Sequence, residues 1–218
     1  MQQRLSTSKL VDGYHKAFID SSVEADTSYS PQFITNSNGK KVLTVIENEL
    51  RGCEDLFISV AFITMSGIAP LLGTLKELEK KGTKGRILTT DYLMFSDPRA
   101  LDKLNSLGNL EIKVFKTADS KTGFHTKGYM FHNNGDLRII IGSSNLTQSA
   151  LSTNHEWNTR IISTTDGQYA KDIEGEFNNL WESSICYEDY ISEKNIKLAK
   201  LMSRKYFCNI SECIKLML

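Results

Sequence analysis

Two of the chain's four histidines fall in one short stretch, GFHTKGYMFHNNGDLRIIIGSSNLT, running from Gly123 to Thr147. The first, His125, is followed two residues later by Lys127. On an extended strand such a pair lies on one face, one pleat apart, with Tyr129 next in the row. An imidazole is a competent nucleophile near neutral pH, and an ammonium beside it neutralises the non-bridging oxygens of a phosphate as charge builds. The chain then returns as IIIGSSN. Gly142 allows the backbone to approach a ligand closely, and Ser143, Ser144 and Asn145 offer neutral donors to phosphate oxygens. Glu156 stands eleven residues beyond Asn145. A nucleophilic histidine needs its second nitrogen held by an acceptor, and a carboxylate at the start of a neighbouring strand serves. Each part alone is commonplace: HxK on a strand is frequent, GSSN is an ordinary turn, and a single glutamate carries nothing. Their order and conjunction point to a phosphate-directed site.

Such a site needs strands to carry it, and the flanking sequence supplies their signals. Val42, Leu43, Ile46 and Leu50 recur at helical spacing. LFISVAF at 56–62 is a nearly unbroken apolar run, the pattern of a strand buried on both faces. Ser66 is placed to cap a helix running to about Lys80, and RILTTDYL at 86–93 reads as a strand. Asp97, Pro98 and Gly108 mark the cap, first turn and end of another helix, and LEIKVF at 110–115 alternates like a strand. Residues 40–115 therefore read α-β-α-β-α-β, which predicts parallel strands flanked by helices. FHTKGYMFH and LRIIIGSS then form two strands about an NNGD turn, EWNTRIIS at 156–163 is a third, and DIEGEFNNLW at 172–181 is an amphipathic helix. The expected fold is α/β, with a mixed, largely parallel central sheet and helices on both faces. Residues 1–30 read as a peripheral lead-in with one short helix, residues 31–186 as the domain, and residues 187–218 as a helical tail or the start of a further region.

The segments HTKGYMF and GSSNLT resemble the phospholipase D superfamily, whose motif is HxK followed by a GSxN-type element. The usual pattern has an aspartate five residues after the lysine; here that position is His132. With the acid supplied later, as Glu156, the sequence looks like the branch of metal-independent restriction endonucleases and related nucleases. SVAFITMSGIAPLL, GRILTTDYLMFSDPRALDKL and NLEIKVF look like the phospholipase-D-like domain at the N-terminus of certain bacterial superfamily II helicases. The resemblance covers roughly residues 31–183 and implies an α-β-α sandwich and a phosphodiesterase. In it His125 attacks phosphorus to give a phosphohistidine, Lys127 and Asn145 hold the phosphate with Ser143 as a weaker candidate, and Glu156 orients His125. The family uses two HxK motifs per active site. This chain has one, so the resemblance implies a two-fold homodimer sharing one site, with no metal or other cofactor. DNA, or RNA in its place, is the implied substrate, with a helicase or restriction-type partner. No GxxxxGK[ST] stretch occurs, so any ATPase motor is expected elsewhere. A non-cleaving DNA- or phosphate-binding module is the alternative. A phospholipase is disfavoured for want of a second motif and a membrane-facing segment.

Composition sets wider bounds. Formal net charge is zero, which excludes a global basic field but leaves room for a local one. Lys113, Lys116 and Lys121, with Arg138, cluster in sequence near the motif. Lys116, Lys121 and Arg138 are candidates to track a nucleic-acid backbone, or else form a solvated face. His132 is expected at a surface hairpin tip, and His155 on the face away from Glu156. Cys53, Cys186, Cys208 and Cys213 have neither CxxC nor zinc-ligand spacing, which fits free thiols in a reducing compartment. With no apolar signal region and no apolar run near 20 residues, a soluble cytoplasmic protein is expected.

Overall fold

A computed structural model describes residues 2–37, 39–92, 95–117, 120 and 122–196. Eight strands form one sheet in the order β1-β7-β6-β5-β2-β3-β4-β8. The strands are β1 (Gln32–Ile34), β2 (Asp55–Val60), β3 (Lys84–Thr90), β4 (Leu110–Phe115), β5 (Lys127–Asn133), β6 (Asp136–Gly142), β7 (Asn158–Thr164) and β8 (Ile185–Cys186). The helices are α1 (Gln2–Phe18), α2 (Val42–Gly52), α3 (Met65–Ile68), α4 (Leu72–Lys81), α5 (Pro98–Asn105), α6 (Gln148–Ser152) and α7 (Gln168–Glu182), and residues 187–196 are also helical.

The α/β class and the helices on both faces match expectation, but the parallel share of the sheet is smaller than the sequence suggests. Among the described strands only β2, β3 and β4 pair in parallel and the other strand pairings are antiparallel, with one isolated parallel bridge between Ile63 and Leu146 outside the strands. One of these reversals follows from connection length. Asn134 and Gly135, at φ 52 and 83, make a two-residue turn that reverses the chain between β5 and β6. The link from β6 to β7 holds only α6, a five-residue helix, and also reverses direction. The edge strands β1 and β8, of three and two residues, are too short to leave a period in the sequence.

The strand at 56–62 is buried on both sides because the helices divide unequally. Leu56, Ile58 and Val60 join the larger core under α2, α4 and α5, together with Ile46, Leu50, Leu75, Leu104 and Tyr129. Phe57 and Ala61 face the smaller core with Leu88, Met130, Leu137 and Ile139, beneath Phe177 and Trp181 of α7. The expected cap at Ser66 is replaced by Thr64, which accepts from the Gly67 N–H at 3.1 Å. The expected single helix is broken at Pro70, where a 3₁₀ turn (Ala69–Leu71) separates α3 from α4. Asp97 does cap α5, accepting from the Arg99 N–H at 3.0 Å. Cys53 and Cys186 are free thiols, and burial pushes the Cys53 thiol up to about 12; Cys208 and Cys213 lie outside the described residues. Among the described residues no helix is long and apolar enough to cross a membrane.

His132 lies near the hairpin tip, as expected, and is partly exposed, but it is also clamped in place. At the lower end of β5 its Nδ1 lies 2.5 Å from Asp55 and its Nε2 2.7 Å from Glu174, so the ring bridges β2 and α7. The hydrogen bond to Asp55 holds the His132 pKa above its ordinary value, against partial desolvation. A raised folded pKa means the clamp contributes fully below the unfolded value of about 6.5 and fades as pH rises through the folded value. Thermal melts of wild type and His132→Gln should therefore differ more at pH 6 than at pH 9. A Tm difference independent of pH would show that the imidazole does not titrate in this clamp.

Candidate active site

All the strand ends that matter meet at one edge of the sheet. β2 and β6 run into it with their C-termini, while β5 and β7 leave it with their N-termini. The edge therefore gathers Phe62 and Ile63 after β2, His125 to Lys127 opening β5, Gly142 to Asn145 closing β6, and Glu156 to Asn158 opening β7. It is also where the parallel and antiparallel halves of the sheet meet, at the β2–β5 pair. Side chains at such a junction emerge from ordered main chain into open space, which is how a rigid scaffold presents reactive groups.

The segment before β5 is extended but stands outside the strand ladder, and two anchors hold it. Phe124 is buried in the smaller core and stacks on Phe115 at 5.4 Å. Thr126 accepts from the Ala61 N–H through its carbonyl at 3.2 Å, and its hydroxyl lies 2.6 Å from Ser59 Oγ. Between these anchors His125 projects outward, exposed, with its ring edge-on to Phe62 at 6.0 Å. Lys127 lies on the same side: its Nζ donates to the His125 carbonyl at 2.7 Å and contacts His125 Nδ1. As a pure donor, the ammonium leaves Nδ1 the acceptor and puts the ring proton on Nε2. Partial burial pulls the Lys127 pKa below its usual value, while nearby Glu156 pulls the other way.

Asn145 is placed by the other strand. Its Oδ1 accepts from the Phe62 N–H at 3.1 Å, and Leu146 and Phe62 exchange a main-chain bond at 3.1 Å. With the carbonyl end engaged, the amide NH₂ makes no hydrogen bond among the described residues and is left as a donor at the edge. Ser143 is exposed, and its hydroxyl donates to Glu156 Oε2 while accepting from the Trp157 N–H at 3.0 Å. Glu156 thus contacts Ser143 and not His125.

Two sequence readings are corrected by this geometry. Ser144 is fully buried and does not reach the surface: its hydroxyl donates to the Ala150 carbonyl at 3.2 Å and accepts from Asn158 Nδ2 at 2.9 Å. Gly142 also has a structural reason of its own, because a Cβ there would stand 2.2 Å from the Trp157 carbonyl oxygen. The glycine lets β6 and β7 close together and so sets the spacing of Ser143 and Glu156. Arg138 is turned into the helix-covered face, 3.3 Å from the buried carboxylate of Glu49, and is not free to track a backbone. Lys116 lies 3.0 Å from Glu193, half-buried, and Lys121 is outside the described residues. His155 is exposed beside Glu156.

Two positioning residues, Phe62 and Asn158, escaped the sequence reading, and for a third, Tyr129, it gave only the face. Phe62 orients Asn145 and packs on His125. Buried Asn158 pins Ser144 through both ends of its amide, and buried Tyr129 donates to the Ser144 carbonyl at 3.0 Å. Asn158 did leave a signal: with Arg160 it shares the strand face of apolar Ile162, and polar residues there must be satisfied by partners.

A family profile described as "Cardiolipin synthase, PLD-like domain" matches residues 50–181, more than half of the chain and all of the catalytic edge. The chain belongs to this phospholipase D-like family. By family it is of phosphodiesterase type. No curated protein sequence matches it. Among solved structures, NucT from Helicobacter pylori aligns at 15% identity with a TM-score of 0.57, over 72% of this chain and 99% of its own. A phospholipase D family member, Nuc from Salmonella typhimurium, aligns at 17% identity and 0.56, over 72% and 97%. Phosphatidylserine synthase from Haemophilus influenzae Rd KW20 aligns at 18% and 0.55, over 81% of this chain and 46% of its own. At these identities the likeness is one of fold. Within the phospholipase D-like domain, the position of the usual aspartate is the clamped His132. It lies five residues down β5 from Lys127, roughly 17 Å at strand rise, and serves the sheet's far end.

Proposed function

We propose that this phospholipase D-like chain is a nuclease that cleaves DNA phosphodiesters through a phosphohistidine on His125, without a metal ion. The observation that carries the reading is the placement of one imidazole, one ammonium and one free amide NH₂ at an open sheet edge. Lys127 Nζ and Asn145 Nδ2 supply two donors for non-bridging oxygens, and His125 supplies the nucleophile. A phosphate bound between Lys127 and Asn145 competes with His125 for the lysine's protons, which frees Nδ1 to carry the ring proton and leaves the Nε2 lone pair to attack phosphorus as the bond to the leaving oxygen breaks. The leaving oxygen needs a proton, and the chain offers no second HxK. We assign that role to His125 of a second copy across a two-fold axis, which makes the enzyme a homodimer with one shared site. A helicase or restriction-type partner would deliver the strand.

One feature favours a second reading. Glu156 is engaged by Ser143 rather than His125, and a site without its orienting acid suits a module that holds phosphate without cutting. Labelled single- and double-stranded DNA incubated with the protein in EDTA decides between them. Cleavage in EDTA supports the nuclease; binding without cleavage leaves the module. Sedimentation should give twice the mass of the chain, and a strict monomer would rule out the two-histidine route.

A further inference from the structure

Beside the catalytic edge lies an apolar surface that neither core uses. Trp157, next in sequence to Glu156, is 73% exposed, and Phe33 on β1 is 55% exposed. Their rings meet edge to face at 5.6 Å and 78°. Phe33, Thr159 and Ile141 lie directly across β1, β7 and β6 in register, and Ile141 is exposed as well. Two residues down the same strands, Ile139 and Ile161 belong to the core beneath α7, so the row faces the α7 side above the area that helix covers. Single exposed apolar residues are ordinary, but two exposed aromatic rings in contact, with Ile141 one strand further along the row, at a phosphate site mark a surface with a ligand. The main chain fixes the indole relative to the chemistry. Trp157 N–H donates to Ser143 Oγ, and its carbonyl accepts from Ser143 N–H at 3.1 Å.

We propose that Trp157, backed by Phe33, is a stacking platform for an unpaired nucleobase next to the phosphate held by His125, Lys127 and Asn145, so that the site takes single-stranded nucleic acid in preference to duplex. The inference rests on the nucleic-acid reading above and narrows it. An indole offers a wide π-face that any base can stack on, whereas a base inside a duplex already has both faces occupied and must be unstacked first. Because the two rings meet edge to face rather than sandwiched, Phe33 covers at most one face of the indole and leaves the other to a base. Apart from the in-plane indole N–H, Trp157, Phe33 and Ile141 have no polar side-chain group, and a base stacked on the ring face is held through its π-face, so stacking here tolerates any base.

The chain has two tryptophans, and the other, Trp181, is 4% exposed, so fluorescence quenching by a stacked base reports on Trp157. Binding is measured in a His125→Ala background, so that strands stay whole, with oligothymidylate, a matched duplex and an abasic strand of equal length. Trp157→Ala should abolish the quench and weaken oligothymidylate binding about 5- to 100-fold. It should leave the duplex and the abasic strand unchanged, and Trp157→Tyr should restore most of the loss. Equal oligothymidylate affinity with and without Trp157 overturns the platform while leaving nucleic-acid binding intact. A dimer that becomes monomeric on Trp157→Ala also overturns it, because the patch is then an interface between copies. If the parent protein binds none of the three strands, the nucleic-acid reading itself falls.

Discussion

Replacing His125 with alanine should abolish cleavage, and mixing that variant with wild type should suppress activity more than dilution can. In a shared site the histidine of one chain attacks phosphorus and that of the other protonates the leaving oxygen. A general acid alone contributes about 10²–10⁴ in rate, so a dimer lacking both histidines should lose at least about 10⁴-fold. The mixture is the sharper test. If chains pair at random, an equal mixture leaves only about one quarter of dimers with both histidines. Activity per total protein should fall to that level when the two forms are co-expressed in equal amounts. A fall to one half would mean each chain works alone. Lys127→Met separates binding from chemistry in the same assay: it should weaken phosphate affinity while leaving the dimer's mass unchanged.

Much of this site is legible in sequence because strand alternation is strict. His125 and Lys127 share a side since the period is two, and Asn-Gly at 134–135 dictates a tight reversal that brings Asn145 back to the same edge. What alternation cannot say is how far a side chain is from water. Ser143 and Ser144 are adjacent and chemically identical, yet one is exposed and the other fully buried under Asn158 and Tyr129. The difference comes from β7, a strand more than ten residues away in sequence. The parallel content was overstated for a related reason. Periodicity identifies strands and helices but not strand direction: the two-residue turn after β5 forces a reversal, whereas the 143–157 link after β6 is long enough for a crossover and reverses all the same. Glu156 could be placed at the edge by its position before β7. Its partner could not, because the choice between Ser143 and His125 depends on Gly142 letting β6 and β7 close to contact.

The largest effect on stability should come from Glu49, which sequence alone assigns to nothing. It lies on α2 beside Leu50, 5% exposed, with Arg160 Nε 2.5 Å away and Arg138 at 3.3 Å. Arg160, 4% exposed, also donates to the Ser28 carbonyl at 2.9 Å. One carboxylate therefore ties α2 to β6, to β7 and to the loop leading into β1. Glu49→Ala leaves two guanidinium groups without a counter-charge in a desolvated pocket. Breaking a buried pair this way costs about 3–5 kcal/mol, and at about 2–4 °C per kcal/mol for a chain of this size the melting temperature should drop by roughly 6–20 °C. Glu49→Gln keeps an acceptor and should cost less. The triple variant Glu49→Met, Arg138→Met and Arg160→Met should recover much of the loss, since apolar packing replaces the whole buried cluster at little cost and leaves neither guanidinium unpaired. If Glu49→Ala melts like wild type, water reaches the cluster and the three groups are solvated rather than mutually dependent. Because β7 carries both Asn158 and Glu156 to the catalytic edge, the same variant should also reduce cleavage at temperatures well below its own melting point.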